Sequence, residues 1–345
     1  VVVGWNTSFT NWGGGTDLRQ GGILHGTMIH EVGHALGLLG DTANAYPEDS
    51  VQYTVMSYAE ASSTGANHGA QDPRTPLLID IAAAQYLYGA NMNTRTGDTI
   101  YGFASNAGAP YALTRNGQDS VFAIWDAGGN DTLNLSLNSD DQIIDLRPGA
   151  FSSAGGLRNN IAMADAVDRN GNNSWEAGFD PTRIANLIEN AIGGTGNDNL
   201  IGNAADNILR GNGGNDHLNG FGGSDTMTGG VGNDIYVVDQ LGDTVVEAPG
   251  GGIDKVFTSL NIYDLNVASR GANIENLQYN GGGPFFGIGN ALNNTIVGGR
   301  GNDSLSGNDG NDYLAGGGLT DILYGGANND TLDGGTGGDR MLGGT

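Results

Sequence analysis

Apolar positions along this chain follow two different periods. Over residues 23–39 they fall at Ile23, Thr27, Met28, Val32, Ala35, Leu36 and Leu39, a spacing of three and four that predicts one face of a helix. From Gly193 the spacing lengthens to nine, with restarts at Gly202, Gly211, Gly220 and Gly229. A second block starts at Gly289 and restarts at Gly298, Gly307, Gly316, Gly325, Gly334 and Gly343. Its consensus, G-G-x-G-N-D-x-L-x, joins a turn of glycine and Asn to a very short strand with one inward residue. The predicted inward residues are Leu200, Leu209, Leu218, Met227 and Tyr236, then Ile296, Leu305, Leu314, Leu323 and Leu332. Such a unit buries its apolar face only by stacking on its neighbours, which predicts a solenoid. Between the blocks, residues 238–288 lose the glycine period but keep strand-like runs at 243–247 and 254–260. We read them as a β-rich structural spacer. Residues 91–150 carry short strand-like segments and, at 125–133, half a repeat containing Gly-Asn-Asp.

Composition sharpens this picture. Of 345 residues 63 are glycine, a level that outside a register would suggest disorder. The formal net charge is −25 and cysteine is absent, which excludes disulfides and thiolate metal sites and argues against nucleic acid as a partner. No apolar run reaches the roughly 20 residues of a membrane span. Much of the charge sits at the sixth repeat position: Asp198, Asn207, Asp216, Asp225 and Asp234, then Asn294, Asp303, Asp312, Asp321, Asp330 and Asp339. If two repeats form one coil, residues 18 apart stack, placing Asp198 over Asp216 over Asp234 and Asp303 over Asp321 over Asp339. Bare carboxylate columns would repel. Ca²⁺, a hard cation that accepts carboxylate and backbone carbonyl oxygens together, removes the repulsion. The repeats resemble the RTX nonapeptides that form Ca²⁺-filled parallel β-rolls, and Asp126 and Asp131 of the half repeat are further candidate Ca²⁺ ligands. Residues 168–176 alternate oxygen side chains as an EF-hand loop does, but Asn173 and Phe179 break that pattern, so we read a polar surface insertion.

The predicted helix contains His30-Glu31-Val32-Gly33-His34. Histidines four apart share a helical face and can hold one Zn²⁺, with Glu31 placed to take a proton from water. Gly37 follows His34 by three, and Val55-Met56-Ser57-Tyr58 matches a Met-turn. Together with the segments at 77–91, 94–98 and 151–157, these motifs resemble the serralysins, secreted zinc endopeptidases of the metzincin group. The resemblance implies Glu31 and Tyr58 as catalytic residues, Tyr58 also as a possible zinc ligand, and Met56 as the floor of the site. It implies an α+β zincin-like catalytic domain, N-terminally incomplete, followed by an all-β parallel β-roll solenoid.

Gly40 stands where the metzincin pattern has its third histidine. Asp41, one residue on, is the candidate third ligand; the alternative is a turn residue, with zinc held weakly or not at all. His25 and His68 are lesser candidates, His25 off the ligand face and His68 in a polar loop expected to be exposed. The expected organisation is a catalytic portion over 1–92, a β-rich segment over 93–192, roll block 1 over 193–237, the spacer over 238–288 and roll block 2 over 289–345. The expected function is a secreted, Ca²⁺-stabilised zinc endopeptidase acting on protein or peptide substrates as a monomer, exported by the type I route of a Gram-negative bacterium. The alternative is a serralysin-like protein with a silent head, acting as a Ca²⁺-binding module.

Overall fold

The nine-residue period folds as its spacing predicts. In the computed structural model, which describes residues 23–38, 50–69, 71–118, 120–164, 187–267 and 271–344, the chain divides into two compact units, 1–188 and 189–345. In the second unit every strand pairs in parallel with the strand one coil away. Leu200 opposes Leu218 and Leu218 opposes Tyr236, while Leu209 opposes Met227. Two repeats therefore make one coil of a parallel β-solenoid. Each predicted inward residue from Leu200 to Leu323 is fully buried, and Leu332 is half-buried. A buried leucine contributes about 2 kcal/mol relative to an exposed one, so these inward columns, one on each sheet, give a glycine-rich chain an apolar core.

The spacer does not interrupt one face of the solenoid. Lys255–Thr258 pairs with Ile235–Val238 on one side and Asn276–Tyr279 on the other, and Asn276–Tyr279 pairs with Thr295–Gly299. One continuous sheet thus runs through both blocks. The opposite face is split: one sheet ends at Thr244–Val245 and another begins at Ile262–Asp264. Where glycine turns are missing, aromatic side chains fill the interior, with Tyr279 stacked on Phe285 at 4.6 Å and Tyr263 buried nearby in sequence.

The first unit carries helix α1 (Ile23–Ala35), helix α2 (Leu78–Tyr88) and short strands. Ile100–Phe103 pairs in parallel with Thr132–Asn134 and Ala112–Leu113, and Ile161–Met163 pairs with Phe122–Ile124 and Phe151–Ser152. Val55, Met56, Leu77, Val121, Ala123 and Ala162 form a buried cluster, with Ile29 and Leu38 packed against it. Helix α1 ends in a Schellman turn: Leu38 N–H donates to Gly33 O at 3.0 Å, Gly37 N–H donates to His34 O at 3.0 Å, and Gly37 takes φ +90°. The predicted helix forms, but its apolar stripe is not what it buries. Met28, Val32 and Leu36 are exposed, whereas Ile29 and Gly33 face the core. The reason is Met56, whose sulfur would overlap a Cβ at residue 33, so the helix rests on Met56 through Gly33.

Candidate metal centres

Both histidines of α1 are oriented by their backbone surroundings. His30 Nδ1 donates to Val55 O at 2.7 Å, and His34 Nδ1 donates to Leu38 O at 3.0 Å. A carbonyl can only accept, so each Nδ1 carries the proton and each Nε2 keeps its lone pair, the tautomer that a metal-ligating imidazole uses. The rings lie edge to face, 4.7 Å apart. Tyr58 Oη donates to His30 Nε2 at 3.2 Å and is largely exposed, as is Glu31. Met56 lies buried beneath. The structure thus brings His30, His34 and Tyr58 together above Met56, a nitrogen and oxygen donor set suited to Zn²⁺. Among the described residues, no third His, Cys, Asp or Glu joins the histidine pair. Gly40 and Asp41 lie outside the described residues, as do the side chain of His25 and residues 168–176.

Behind the pair stands a residue that sequence reasoning missed. Asp80 is buried in the first turn of α2, where it accepts from Thr54 Oγ1 at 2.5 Å, Val55 N–H at 2.9 Å and Leu77 N–H at 2.8 Å. It therefore fixes the backbone of Val55, whose carbonyl holds His30. Burial pushes the Asp80 carboxyl above its ordinary range, while those three donors oppose the shift. His68, expected in an exposed loop, is instead buried. The backbone pairing of Asn67 with Arg158 draws that loop inward, His68 Nε2 donates to Asn159 O at 3.1 Å, and burial lowers its pKa.

The repeat aspartates form a ladder. Asp198 N–H donates to Asp216 Oδ1 and Asp216 N–H to Asp234 Oδ1, both at 2.7 Å. The same link joins Asn207 to Asp225, Asn294 to Asp312, Asp312 to Asp330, Asp303 to Asp321 and Asp321 to Asp339. Each carboxylate thus commits one oxygen to the coil before it. The second oxygen of Asp225, Asp234, Asp303, Asp312, Asp321 and Asp330 is buried without a protein partner. Desolvation raises Asp225 to about 7 and Asp312 to about 6, the price of packing like charges away from water. The first glycine of each repeat exists for these carboxylates, since a Cβ at Gly211 would overlap Asp216. Oxygens left bare inside a column of backbone carbonyls fit Ca²⁺, which takes six to eight such ligands.

Of the half-repeat candidates, Asp131 stands in the ladder relationship, accepting from Thr99 N–H at 2.8 Å, and burial raises it to about 6. Both oxygens of Asp126 are engaged, by Tyr101 Oη at 2.6 Å and Gly128 N–H at 3.1 Å. Three further rungs have no glycine motif: Asp225 N–H donates to Asp243, Asp234 N–H to Asp254 and Asp254 N–H to Glu275. The signal for them was present as an acid two residues before an inward apolar side chain, at Asp243/Val245, Asp254/Val256 and Glu275/Leu277.

Comparison with known proteins bears on the part of the chain that follows the histidine helix. Residues 90–173 match the family described as peptidase M10 serralysin C terminal. Residues 188–216, 201–236, 288–323 and 316–345 match the RTX calcium-binding nonapeptide repeat. The chain is 43% identical over 201 residues to the serralysin of Proteus mirabilis, covering 54% of this chain and 37% of that protein. It is 45% identical over 186 residues to serralysin B of Dickeya chrysanthemi, covering 50% and 35%, and 42% identical over 190 residues to the metalloprotease AprA of Pseudomonas entomophila, also covering 50% and 35%. The chain thus spans little more than a third of the length of these curated relatives. The chain carries a region matching the serralysin C terminal and RTX calcium-binding repeats, and over about half of its length it is similar to serralysins.

Proposed function

We propose that this chain is the zinc-binding and Ca²⁺-stabilised part of a secreted endopeptidase that hydrolyses peptide bonds in proteins and peptides. The observation that carries the reading is the pair of imidazoles with Nδ1 tied to Val55 and Leu38 carbonyls, both Nε2 atoms available, and the Tyr58 hydroxyl at one of them. His30 and His34 would hold Zn²⁺, with Asp41 as the proposed third protein ligand. Zn²⁺ bound there supplies Lewis-acid polarisation of a carbonyl and lowers the pKa of water toward 7. Glu31, next to His30 and open to solvent, takes the proton from the attacking water and returns it to the leaving amine. Tyr58 Oη turns from His30 to the oxygen on which charge develops and donates to it. Asp80 and Met56 keep the imidazoles in place.

The ladder aspartates are the proposed Ca²⁺ ligands, including Asp131 of the half repeat. The net charge of −25 disfavours nucleic acid, and no described helix is long and apolar enough to cross a membrane. Export by a type I system and action as a monomer follow the serralysin resemblance. Zinc content after dialysis, and casein hydrolysis with Ca²⁺ present, test the reading on the chain and on Glu31→Ala. Stoichiometric zinc in both, with activity reduced in the variant on the order of 10²–10⁴-fold, is the expected result. A chain that retains no zinc supports the second reading, a silent head on a Ca²⁺-binding module, which Gly40 favours because glycine has no side chain to ligate.

A further inference from the structure

Where the first repeat block meets the spacer, the ladder changes its construction. Rungs within the blocks join residues 18 apart, but Asp234 reaches Asp254 across 20. The two extra residues belong to a turn outside the matched nonapeptide segments, and that turn carries Glu247. One ligand atom from each of Asp234, Glu247 and Asp254 lies within 4.8 Å of the others, and among the described residues this is the one such cluster of three. Within the repeats, by contrast, each rung offers only the sixth-position side chain.

An acidic cluster alone says little, but here one oxygen is already waiting. Asp234 is 1% exposed; its Oδ1 accepts from Asp216 N–H, while its Oδ2 is buried with no protein partner. That Oδ2 and Tyr236 Oη both crowd the Cβ position of Gly229, so they point into one space. Tyr236 Oη accepts from Gly229 N–H at 2.7 Å and donates to Glu247 Oε1, which fixes the glutamate toward Asp234. Glu247 Oε2 accepts from Ala248 N–H at 3.1 Å, and Asp254 Oδ1 accepts from Asp234 N–H at 2.8 Å. Gly230 O and Glu247 Oε2 lie on the same side of Gly251, at 2.8 and 2.7 Å from where its Cβ would be, adding a backbone carbonyl to the lining. Three carboxylates sharing a buried space repel one another unless a cation joins them, and each retains lone pairs beyond its hydrogen bonds.

We propose that Asp234, Glu247 and Asp254 form a Ca²⁺ site that caps the first repeat block, with Glu247 as a ligand outside the nonapeptide pattern. The size and charge of the set suit Ca²⁺ better than Mg²⁺, which demands near-octahedral geometry and keeps several waters. The site pins the spacer turn to the roll where the opposite sheet ends, at Thr244–Val245. The proposal rests on the reading of the roll as Ca²⁺-loaded, and the test separates the two.

Ca²⁺ stoichiometry is measured by equilibrium dialysis on the full chain, on Glu247→Gln and on Asp312→Asn as a repeat-site control. Glu247→Gln is expected to bind one Ca²⁺ fewer per chain, with an unchanged circular dichroism spectrum at saturating Ca²⁺. Loss of Ca²⁺ in Asp312→Asn but full stoichiometry and affinity in Glu247→Gln overturns the capping site and leaves the roll reading standing. No Ca²⁺ bound by the unmodified chain overturns both. If Glu247→Gln does not fold at saturating Ca²⁺, Glu247→Asp decides. Weakened affinity for a single ion supports the site, and unchanged affinity at every ion overturns it.

Discussion

Gly33 and Tyr58 show how much of the candidate zinc site depends on single groups. A methyl at residue 33 has no room above the Met56 sulfur. Gly33→Ala is therefore expected to lift α1 off its floor and destabilise the first unit by about 1–3 kcal/mol, the usual cost of overpacking. Chemical denaturation monitored by tryptophan fluorescence checks this; no change would mean that Met56 swings aside freely. Tyr58 is different, because its hydroxyl reaches His30 Nε2 from an exposed position and packs little. Under the proposed mechanism, Tyr58→Phe should keep its zinc and lower kcat by about 10²-fold, as loss of one donor to a developing oxyanion does. A large rise in KM at constant kcat would instead assign Tyr58 to substrate binding. The histidine pair and Glu31 were readable in the sequence from one helical spacing, and Met56 and Tyr58 from the Met-turn motif they resemble. What holds them was not: Asp80 lies 26 residues from Thr54, and nothing in its helical context distinguishes it from a solvent-facing acid.

At the scale of elements, the legible parts are those in which one short rule repeats. The inward column from Leu200 to Leu323 was readable because each repeat restates the same turn and strand. The spacer hid its membership in the same sheet because aromatic packing and longer turns replace the glycines that mark the register. The helical period of α1 was readable but not its buried face, because periodicity reports which residues are apolar, not which neighbour a helix meets. Burial along the column also grades the cost of truncation. Leu218→Ala, at a fully buried position between two coils, is expected to cost about 2–5 kcal/mol, and Leu332→Ala, at a half-buried one, clearly less. Equal losses in Ca²⁺-saturated thermal melts would contradict a stacked column of graded burial. The joint between α2 and the Met-turn should be equally sensitive. Asp80→Asn replaces an acceptor with a donor facing Thr54, Val55 and Leu77, and is expected to cost about 1–3 kcal/mol through unsatisfied buried groups.

For the molecule as a whole, the ladder makes stability depend on Ca²⁺ and pH in opposite senses. Without cation, the folded roll holds Asp225 and Asp254 at about 7 and Asp312 at about 6, all raised chiefly by burial, whereas an unfolded Asp titrates near ~3.9. A carboxyl whose folded pKa is raised favours the folded state when protonated. Its contribution is complete below the unfolded pKa and is lost as the pH rises through the folded value. The Ca²⁺-free roll should therefore be most stable near pH 4 and least stable above about 7. Bound Ca²⁺ reverses the slope, because the ligands must be ionised and the cation stabilises only the folded chain. Circular dichroism of metal-free chain at pH 5 and pH 8, each with and without Ca²⁺, tests the argument. The expected pattern is β-structure at pH 5 in both samples, and at pH 8 only with Ca²⁺. A metal-free roll that is folded at pH 8 and lost at pH 5 would show that the buried carboxylates do not set the balance.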